Sequence, residues 1–240
     1  MDHAPDPNAL EALHGVPVLY EDNHLLALDK PAGLLTQGAE AGDDNLLERG
    51  REYLRRAGGK PGKAYVGLVH RLDRNVSGVL LLARTSKAAS RLSQAFAGRD
   101  VDKRYVAVVE GLTPEHGELR DRLEVDDASR RTVRGPGGKE ASLAFERVGE
   151  AAGRSVLLVR LHTGRRHQIR AQLALAGHPI VGDPLYGARA RAIERPALHA
   201  WRLTLSHPVR REPLRIVAPV PDDLRRLMDG VDLDALLPGI

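Results

Sequence analysis

The sequence of 240 residues contains no cysteine, which excludes disulfide bonds and thiolate metal sites and fits a reducing compartment. It also lacks a long apolar run. The longest aliphatic stretch, residues 79–83, is far shorter than the roughly 20 residues of a membrane-spanning helix. Residues 1–15 contain acids and prolines but no apolar core, so no signal peptide is expected. These absences make a cytoplasmic protein the default expectation.

Aromatic residues are scarce: the chain has two phenylalanines, one tryptophan and five tyrosines. This argues against a passive module that reads single-stranded RNA by stacking bases on an aromatic sheet face. The net charge of +4 suggests a polyanionic partner. Six of the 36 basic residues are lysines, so thirty are arginines, whose planar guanidinium suits phosphates and base edges. A GC-rich genome would produce the same arginine bias, so composition alone leaves both explanations open.

Short apolar segments alternate with turn residues along the whole chain. Strands are predicted at residues 16–20, 25–28, 65–69, 79–83, 101–109, 142–148, 155–161, 199–205 and 214–217. Helices are predicted from Leu46 to a stop at Gly58 and Gly59, from a Thr85 or Ser86 cap to Phe96, from about Arg165 to a stop at Gly177, and within residues 221–228. Residues 118–139 are expected to be an exposed strand and loop excursion.

This pattern predicts an α+β fold with a mixed, mainly antiparallel sheet and flanking helices. No change in composition indicates two domains. We therefore expect a single domain over residues 16–240, preceded by an N-terminal extension of residues 1–15.

A first candidate site lies in residues 70–74, where Asp73 stands between Arg71 and Arg74 just before an apolar run. If this segment is extended, Arg71 and Asp73 point to one side. A neighbouring arginine favours the ionised carboxylate, which could act as a nucleophile or a base. The tetrapeptide HRLD alone equally describes a solvated surface ion pair, and that simpler interpretation is the default.

A second candidate is RLHTGRRHQIR, residues 160–170, which holds four arginines, two histidines and no acid. A glycine turn leading into an arginine-bearing helix N-terminus can bind an anion. Spacing of four would place Arg166 and Arg170 on one helix face, with His167 beside Arg170. Tyr105 lies in an apolar strand and by itself indicates a core tyrosine.

Other chemistries find no support in the residue patterns. The histidines are scattered and HExxH is absent, so a metal site is not expected. The glycine–lysine stretches lack the spacing and the hydroxyl residue of a Walker loop. Neither GxSxG nor a strand-to-helix GxGxxG occurs.

Five ordered motifs together resemble the RluA-type RNA pseudouridine synthases, and the resemblance runs from about residue 20 to residue 219. The motifs are LALDKPAGLLT (26–36), HRLDRNVSG (70–78), KRYVAVVEG (103–111), LHTGRRHQIRAQLALAGHPIVGDPLYG (161–187) and LHAWRLTLSHP (198–208). Two positions depart from the family pattern. Val76 replaces the usual threonine, and Asn75 stands where aspartate is frequent.

The resemblance implies the pseudouridine synthase fold around a central cleft, and isomerisation of uridine in RNA to its C-glycoside without a metal or organic cofactor. It implies that Asp73 is the essential carboxylate at the sugar–base bond, that Tyr105 stacks on the base and assists proton transfer, and that Arg170 pairs with Asp73. Whether Asp73 attacks C1′ or removes a sugar proton stays open. The residues expected to bind RNA are Arg71, Arg74, Arg165, Arg166 and His167.

The expected partner is a stem–loop of ribosomal or transfer RNA, bound by a monomer after the target base is flipped out of the stack. Two alternatives compete with this function. A non-catalytic RNA-binding or ribosome-assembly protein could share the fold, although Asp73, Tyr105 and Arg170 are all present. A phosphate-ester or glycoside enzyme usually needs several carboxylates, and neither arginine-rich motif contains more than one.

Overall fold

The computed structural model describes residues 10–38, 42–58, 64–233 and 235, and these residues contain eleven strands and four α-helices. The strands are β1 (Val18–Glu21), β2 (Leu25–Lys30), β3 (Gly67–Leu68), β4 (Ser77–Ala83), β5 (Asp102–Glu110), β6 (His116–Asp126), β7 (Arg131–Arg134), β8 (Lys139–Ala151), β9 (Arg154–Leu161), β10 (Leu198–Ser206) and β11 (Pro213–Val217). The helices are α1 (Leu46–Ala57), α2 (Ser86–Gly98), α3 (Gln168–Leu175) and α4 (Asp222–Arg225). Most of the predicted extension, residues 1–9, and the predicted helix stop at Gly59 lie outside the described residues.

The chain divides into two compact units. The first contains residues 1–103 and 200–219, and the second contains residues 104–199 and 220–240. No helix among the described residues is long and apolar enough to cross a membrane.

The sheet of the first unit has the strand order β1-β2-β4-β10, with β3 paired to β4 and β11 to β10. The first two predicted strands are confirmed, and they form a hairpin in which β1 and β2 pair antiparallel. Its turn is closed by Asp22, whose Oδ1 accepts the backbone N–H groups of His24 and Leu25, both at 2.8 Å. Every residue of β4 is buried, as its uninterrupted apolar run predicts.

Two helices of the first unit begin at side-chain caps. Asn45 accepts the N–H of Glu48 at the start of α1, and Thr85 accepts the N–H of Ala88 at the start of α2. Helix α1 buries Leu46, Leu47, Gly50, Tyr53 and Leu54. Helix α2 buries Ala88 and Leu92 against the core of the sheet.

The second unit has an antiparallel sheet in the order β5-β9-β8-β6-β7. The predicted excursion at residues 118–139 forms most of the β6–β7 hairpin and the start of β8. Helix α3 begins at Gln168, so the predicted start at about Arg165 is wrong. The cause lies at His167, whose φ of 50° interrupts helical geometry. Arg166 therefore precedes the helix, and the expected shared helix face with Arg170 does not exist. The α+β class with mainly antiparallel strands is confirmed.

Gly78, the last residue of the 70–78 motif, lies where β4 runs closely beside β10. Its φ is 115°, and a Cβ placed there would lie 2.2 Å from the carbonyl oxygen of Ala200. The position thus combines a conformation that L-residues avoid with a backbone contact that leaves no space for a side chain.

We predict that Gly78→Ala lowers the free energy of unfolding by at least about 3 kcal/mol, because backbone strain and steric overlap add together. Gly153→Ala is the matched control. Its φ is 72° but nothing lies within 4 Å of a Cβ placed there, so only strain of about 1–2 kcal/mol is expected. Urea denaturation measures both variants, and equal losses would contradict the close approach of β4 and β10.

Candidate active site

The loop between β3 and β4, residues 69–76, carries the Asp73 cluster. Leu72 is buried, Asp73 is half-buried, and both Arg71 and Arg74 are exposed. Residues 71–73 follow the alternation expected for an extended segment, and exposed Arg74 departs from it because a turn begins there. A turn follows, in which the Val76 N–H donates to the Asp73 carbonyl at 3.1 Å.

The side chain of Lys30 holds this loop through hydrogen bonds to backbone carbonyls. Lys30 is fully buried, and its Nζ donates to the carbonyl oxygens of Pro31, Arg74 and Val76, each at 2.9 Å. A buried ammonium is tolerated only when its donors are satisfied, and here three backbone acceptors surround it. Lys30 lies within the first of the five motifs, but sequence reasoning did not single it out. The available signal was a lysine that follows Asp29 at the end of a strand beginning with four apolar residues.

Two further contacts join the segment after Lys30 to the same loop. The Thr36 hydroxyl donates to the Leu72 carbonyl at 2.8 Å and accepts the Leu72 N–H at 3.2 Å. Gly33 and Arg74 are joined twice, because the Gly33 N–H donates to the Arg74 carbonyl and Arg74 Nε donates to the Gly33 carbonyl, both at 2.9 Å. The backbone of the Asp73 loop is therefore fixed on both sides of the carboxylate.

Val76, one of the two departures from the family pattern, is buried, and it contributes to the loop through its backbone N–H and carbonyl. Any residue except proline supplies these backbone groups. Replacing threonine with valine therefore leaves the hydrogen bonds described for this loop intact.

The side chain of His70, two residues after strand β3, makes a hydrogen bond that limits the length of this strand. Its Nε2 accepts the Leu81 N–H at 3.0 Å, so an imidazole nitrogen replaces the backbone carbonyl that a longer strand would supply. Strand β3 is accordingly two residues long instead of the predicted five. Burial lowers the pKa of His70 to about 3, and the nearby charge of Lys103 acts in the same direction. The ring stacks on Phe96, with 4.8 Å between centroids.

The second predicted motif forms a turn at residues 163–167, named here the arginine turn, followed by α3. Gln168 holds it together. Its Oε1 accepts the Thr163 hydroxyl at 2.7 Å and the Arg165 N–H at 3.0 Å. Its Nε2 donates to the Ser142 carbonyl at 3.1 Å and to Gln172 Oε1 at 2.9 Å. All four hydrogen-bonding positions of this buried amide are used, so the turn rests on a satisfied polar network.

Arg170 has a carboxylate partner that sequence reasoning missed. Its Nε and Nη2 donate to the two oxygens of Asp183, at 2.6 and 2.9 Å, and both side chains are buried. This bidentate pair fixes the plane of the guanidinium. Arg170 therefore has a carboxylate partner, although residues 160–170 themselves contain no acid. The signal for Asp183 was its place in the stretch GDPLYG, thirteen residues beyond Arg170.

The predicted site residues fall into two groups. Asp73 lies with Arg71 and Arg74 in the first unit. The second unit holds Arg170 with the arginine turn, and also Tyr105, a buried residue of β5 paired with Val159 of β9. The pairing of Asp73 with Arg170 stays a prediction. Among the described residues, no group of three or more histidine, aspartate or glutamate side chains could hold a metal ion.

Comparisons with known proteins agree with the resemblance seen in the sequence. A sequence model of the family described as RNA pseudouridylate synthase matches residues 24–175. A Xanthomonas campestris protein named ribosomal large subunit pseudouridine synthase D is 38% identical over 243 residues, covering 91% of this chain and 70% of its own. The Bacillus subtilis protein named uncharacterized RNA pseudouridine synthase YhcT is 36% identical, covering 88% and 70%. The solved structure of human RNA pseudouridylate synthase domain containing 4 has the same fold, with a TM-score of 0.74 at 23% identity over 92% of this chain and 95% of that one.

We predict that Lys30→Met lowers the free energy of unfolding by about 3 kcal/mol, because three carbonyls lose their donor, and the hydrogen bond to Val76 among them is buried. Lys87→Met is the control, since Lys87 is exposed in the first turn of α2 and its replacement should change stability by less than about 0.5 kcal/mol. Urea denaturation at neutral pH compares the two. Equal stability of the two variants would contradict the bracing role of Lys30.

The low pKa of His70 predicts a pH dependence of stability. Below pH 6.5, the ordinary pKa of histidine, the unfolded chain binds a proton at His70. The folded chain binds this proton only near pH 3. Stability therefore falls as the pH drops through this window, by at most about 1.4 kcal/mol per pH unit. His70→Gln keeps an acceptor for the Leu81 N–H but does not titrate. Urea midpoints from pH 7 to pH 4 should thus fall more steeply for the unsubstituted chain, and parallel curves would show that His70 is not held neutral.

Proposed function

Since this chain belongs to the RNA pseudouridylate synthase family, and is an isomerase that converts uridine in RNA to pseudouridine, we propose that its substrate is a uridine of large-subunit ribosomal RNA. Two relatives named for the ribosomal large subunit align with 91% and 92% of the chain, at 38% and 37% identity. This supports ribosomal over transfer RNA among the two partners expected from the sequence.

The bracing of the Asp73 loop is the observation that carries the assignment of a catalytic role. The reaction breaks the bond between N1 of uracil and C1′, forms a bond from C5 to C1′, and moves a hydrogen from C5 to N1. Positive charge develops on the sugar as the first bond breaks, and an ionised carboxylate stabilises it. Asp73 stands between two backbone segments anchored by Lys30 and Thr36, so its carboxylate is presented on a rigid loop. It attacks C1′ or removes a sugar proton, and both roles need the anion.

The other site residues take supporting roles in this proposal. Tyr105 stacks on the flipped base and assists the proton transfer. Arg170, whose plane is fixed by Asp183, pairs with Asp73 and keeps the carboxylate charged. The residues that hold the flanking RNA phosphates are Arg71, Arg74, Arg165, Arg166 and His167, and Arg71 also fills the gap left by the extruded nucleotide.

The remaining sequence expectations belong to the same proposal. Residues 16–240 act as one catalytic domain, the enzyme works as a cytoplasmic monomer, and the chemistry uses neither a metal nor an organic cofactor. Mapping pseudouridines in total RNA from a deletion strain identifies the uridine, and a missing modification in transfer RNA alone would redirect the substrate assignment.

We predict that Asp73→Asn binds RNA with near-normal affinity but forms pseudouridine at least roughly 10⁴-fold more slowly, because the side chain keeps its size and loses its charge. Asp100→Asn, which removes an exposed carboxylate just after α2, is the control and should retain activity. Tritium release from transcripts whose uridines carry tritium at C5 measures turnover. Residual turnover in a clean Asp73→Ala preparation would overturn the assigned role.

A further inference from the structure

Residues 178–190, named here the Asp183 loop, carry two side chains that contact the Arg170 guanidinium. Asp183 accepts two hydrogen bonds from it, and the ring centroid of Tyr186 lies 5.0 Å from its central carbon. The ion pair fixes the plane of the guanidinium, and the ring adds cation–π attraction. The direction of Arg170 therefore depends on where this loop places Asp183 and Tyr186.

Tyr186 also connects the Asp183 loop to the arginine turn and to the β6–β7 hairpin. Its hydroxyl accepts the N–H of Thr132, a buried residue of β7, at 2.8 Å. The same hydroxyl lies 3.0 Å from Nδ1 of His167 in the arginine turn. A displacement of the loop would thus disturb both of these hydrogen bonds as well as the surroundings of Arg170.

Strand β5 anchors the start of the Asp183 loop through its backbone. The Val181 N–H donates to the Val108 carbonyl, and the Glu110 N–H donates to the Pro179 carbonyl, both at 2.9 Å. His178 Nδ1 lies 3.0 Å from the Glu110 carbonyl. Any residue except proline supplies these backbone groups at position 110, so they give no reason for a glutamate there.

The side chain of Glu110 anchors the end of the same loop. Its Oε1 accepts the backbone N–H groups of Arg189 and Ala190, at 2.6 and 2.7 Å. Hydrogen bonds to a carboxylate are stronger than those to a neutral acceptor. One residue of β5 therefore holds both ends of the loop, its start through the backbone and its end through the side chain. Fixing both ends restricts the conformations of the residues between them.

We propose that Glu110 is a positioning residue for the isomerisation, because by closing the Asp183 loop it sets the direction of the Arg170 guanidinium. The pairing of β5 with β9 runs in regular register, so alternation places Glu110 and Tyr105 on opposite faces of the strand. Glu110 thus acts on the loop and not on the base. This inference rests on the proposed role of Arg170 beside the Asp73 carboxylate.

The first test compares two substitutions of equal charge at position 110. Glu110→Met keeps the length of the side chain but removes the acceptor, so turnover should fall about tenfold, because a displaced guanidinium stabilises the reacting groups less well. Glu110→Gln keeps an acceptor oxygen for the two N–H groups, and its turnover should stay within about twofold of the unsubstituted chain. The two variants should bind RNA with equal affinity. Glu146→Met, at an exposed strand position of the same unit, is the control and should retain full turnover.

Turnover is measured as tritium release with enzyme in excess over total RNA from a deletion strain, labelled with tritium at C5 of uracil. This RNA contains the target uridine whichever RNA carries it, so the result does not depend on the ribosomal assignment. Arg170→Lys is the reference variant and should lose at least as much turnover as Glu110→Met. Full turnover in Arg170→Lys would refute the role proposed for Arg170. Loss of turnover in Arg170→Lys, with Glu110→Met equal to Glu146→Met, would refute only the positioning role of Glu110.

The second test separates positioning from stability. Ser155→Ala removes hydrogen bonds at the same end of β5, where Ser155 Oγ accepts the Thr113 N–H at 2.9 Å and donates to the Gly111 carbonyl at 3.0 Å. Both Ser155→Ala and Glu110→Met should lower the melting temperature, but only Glu110→Met should slow turnover. Equal losses of turnover in these two variants would show that Glu110 is merely structural.

Amide hydrogen exchange gives a readout that does not depend on activity. Exchange in residues 183–190 should become faster in Glu110→Met and stay unchanged in Glu110→Gln and Ser155→Ala, because only the first variant releases the end of the Asp183 loop. Unchanged exchange at Arg189 and Ala190 in Glu110→Met would show that the carboxylate does not close the loop, and would overturn the proposal.

Discussion

A buried ammonium group is the interaction on which the Asp73 loop depends. Lys30 places three N–H donors where three carbonyls converge, two of them from the loop itself. Each partner needs the other, since an unpaired buried ammonium or carbonyl is costly. The position of the half-buried Asp73 carboxylate thereby depends on strand β2, which ends at Lys30, and the role proposed for Asp73 at the sugar requires such preorganisation.

In the second unit, neutral amides and one ion pair fix the positions of the candidate site residues. Gln168 and Gln172 use their amide groups within a network that reaches Asp121, and Asp183 fixes the plane of Arg170. Arginine side chains are long and flexible, so an arginine-rich motif by itself specifies charge and not direction. The direction comes from uncharged or acidic partners that a search for basic residues overlooks.

Local patterns in the sequence predicted the parts of the fold that depend on neighbouring residues. The Asp22 hairpin, the Thr85 cap and the buried strand β4 all follow from contacts within a few positions. The errors occur where a side chain takes the place of a backbone hydrogen-bonding partner. Strand β3 is shortened because the His70 imidazole takes the place of a backbone acceptor, and α3 starts late because residues 163–167 are held by Gln168 in a non-helical turn.

The ordered motifs, with their charged and apolar residues, were sufficient to identify the family and the α+β class, and they predict the residues to which the proposed chemistry is assigned. Tertiary structure alone decided that Lys30 braces the Asp73 loop, that Asp183 pairs with Arg170, and that Tyr186 joins a hairpin to the arginine turn. The physical reason is the separation of the interacting groups along the chain. Backbone propensity and periodicity act over a few residues, whereas these contacts join groups from 13 to 54 positions apart and exist only after the sheets have formed.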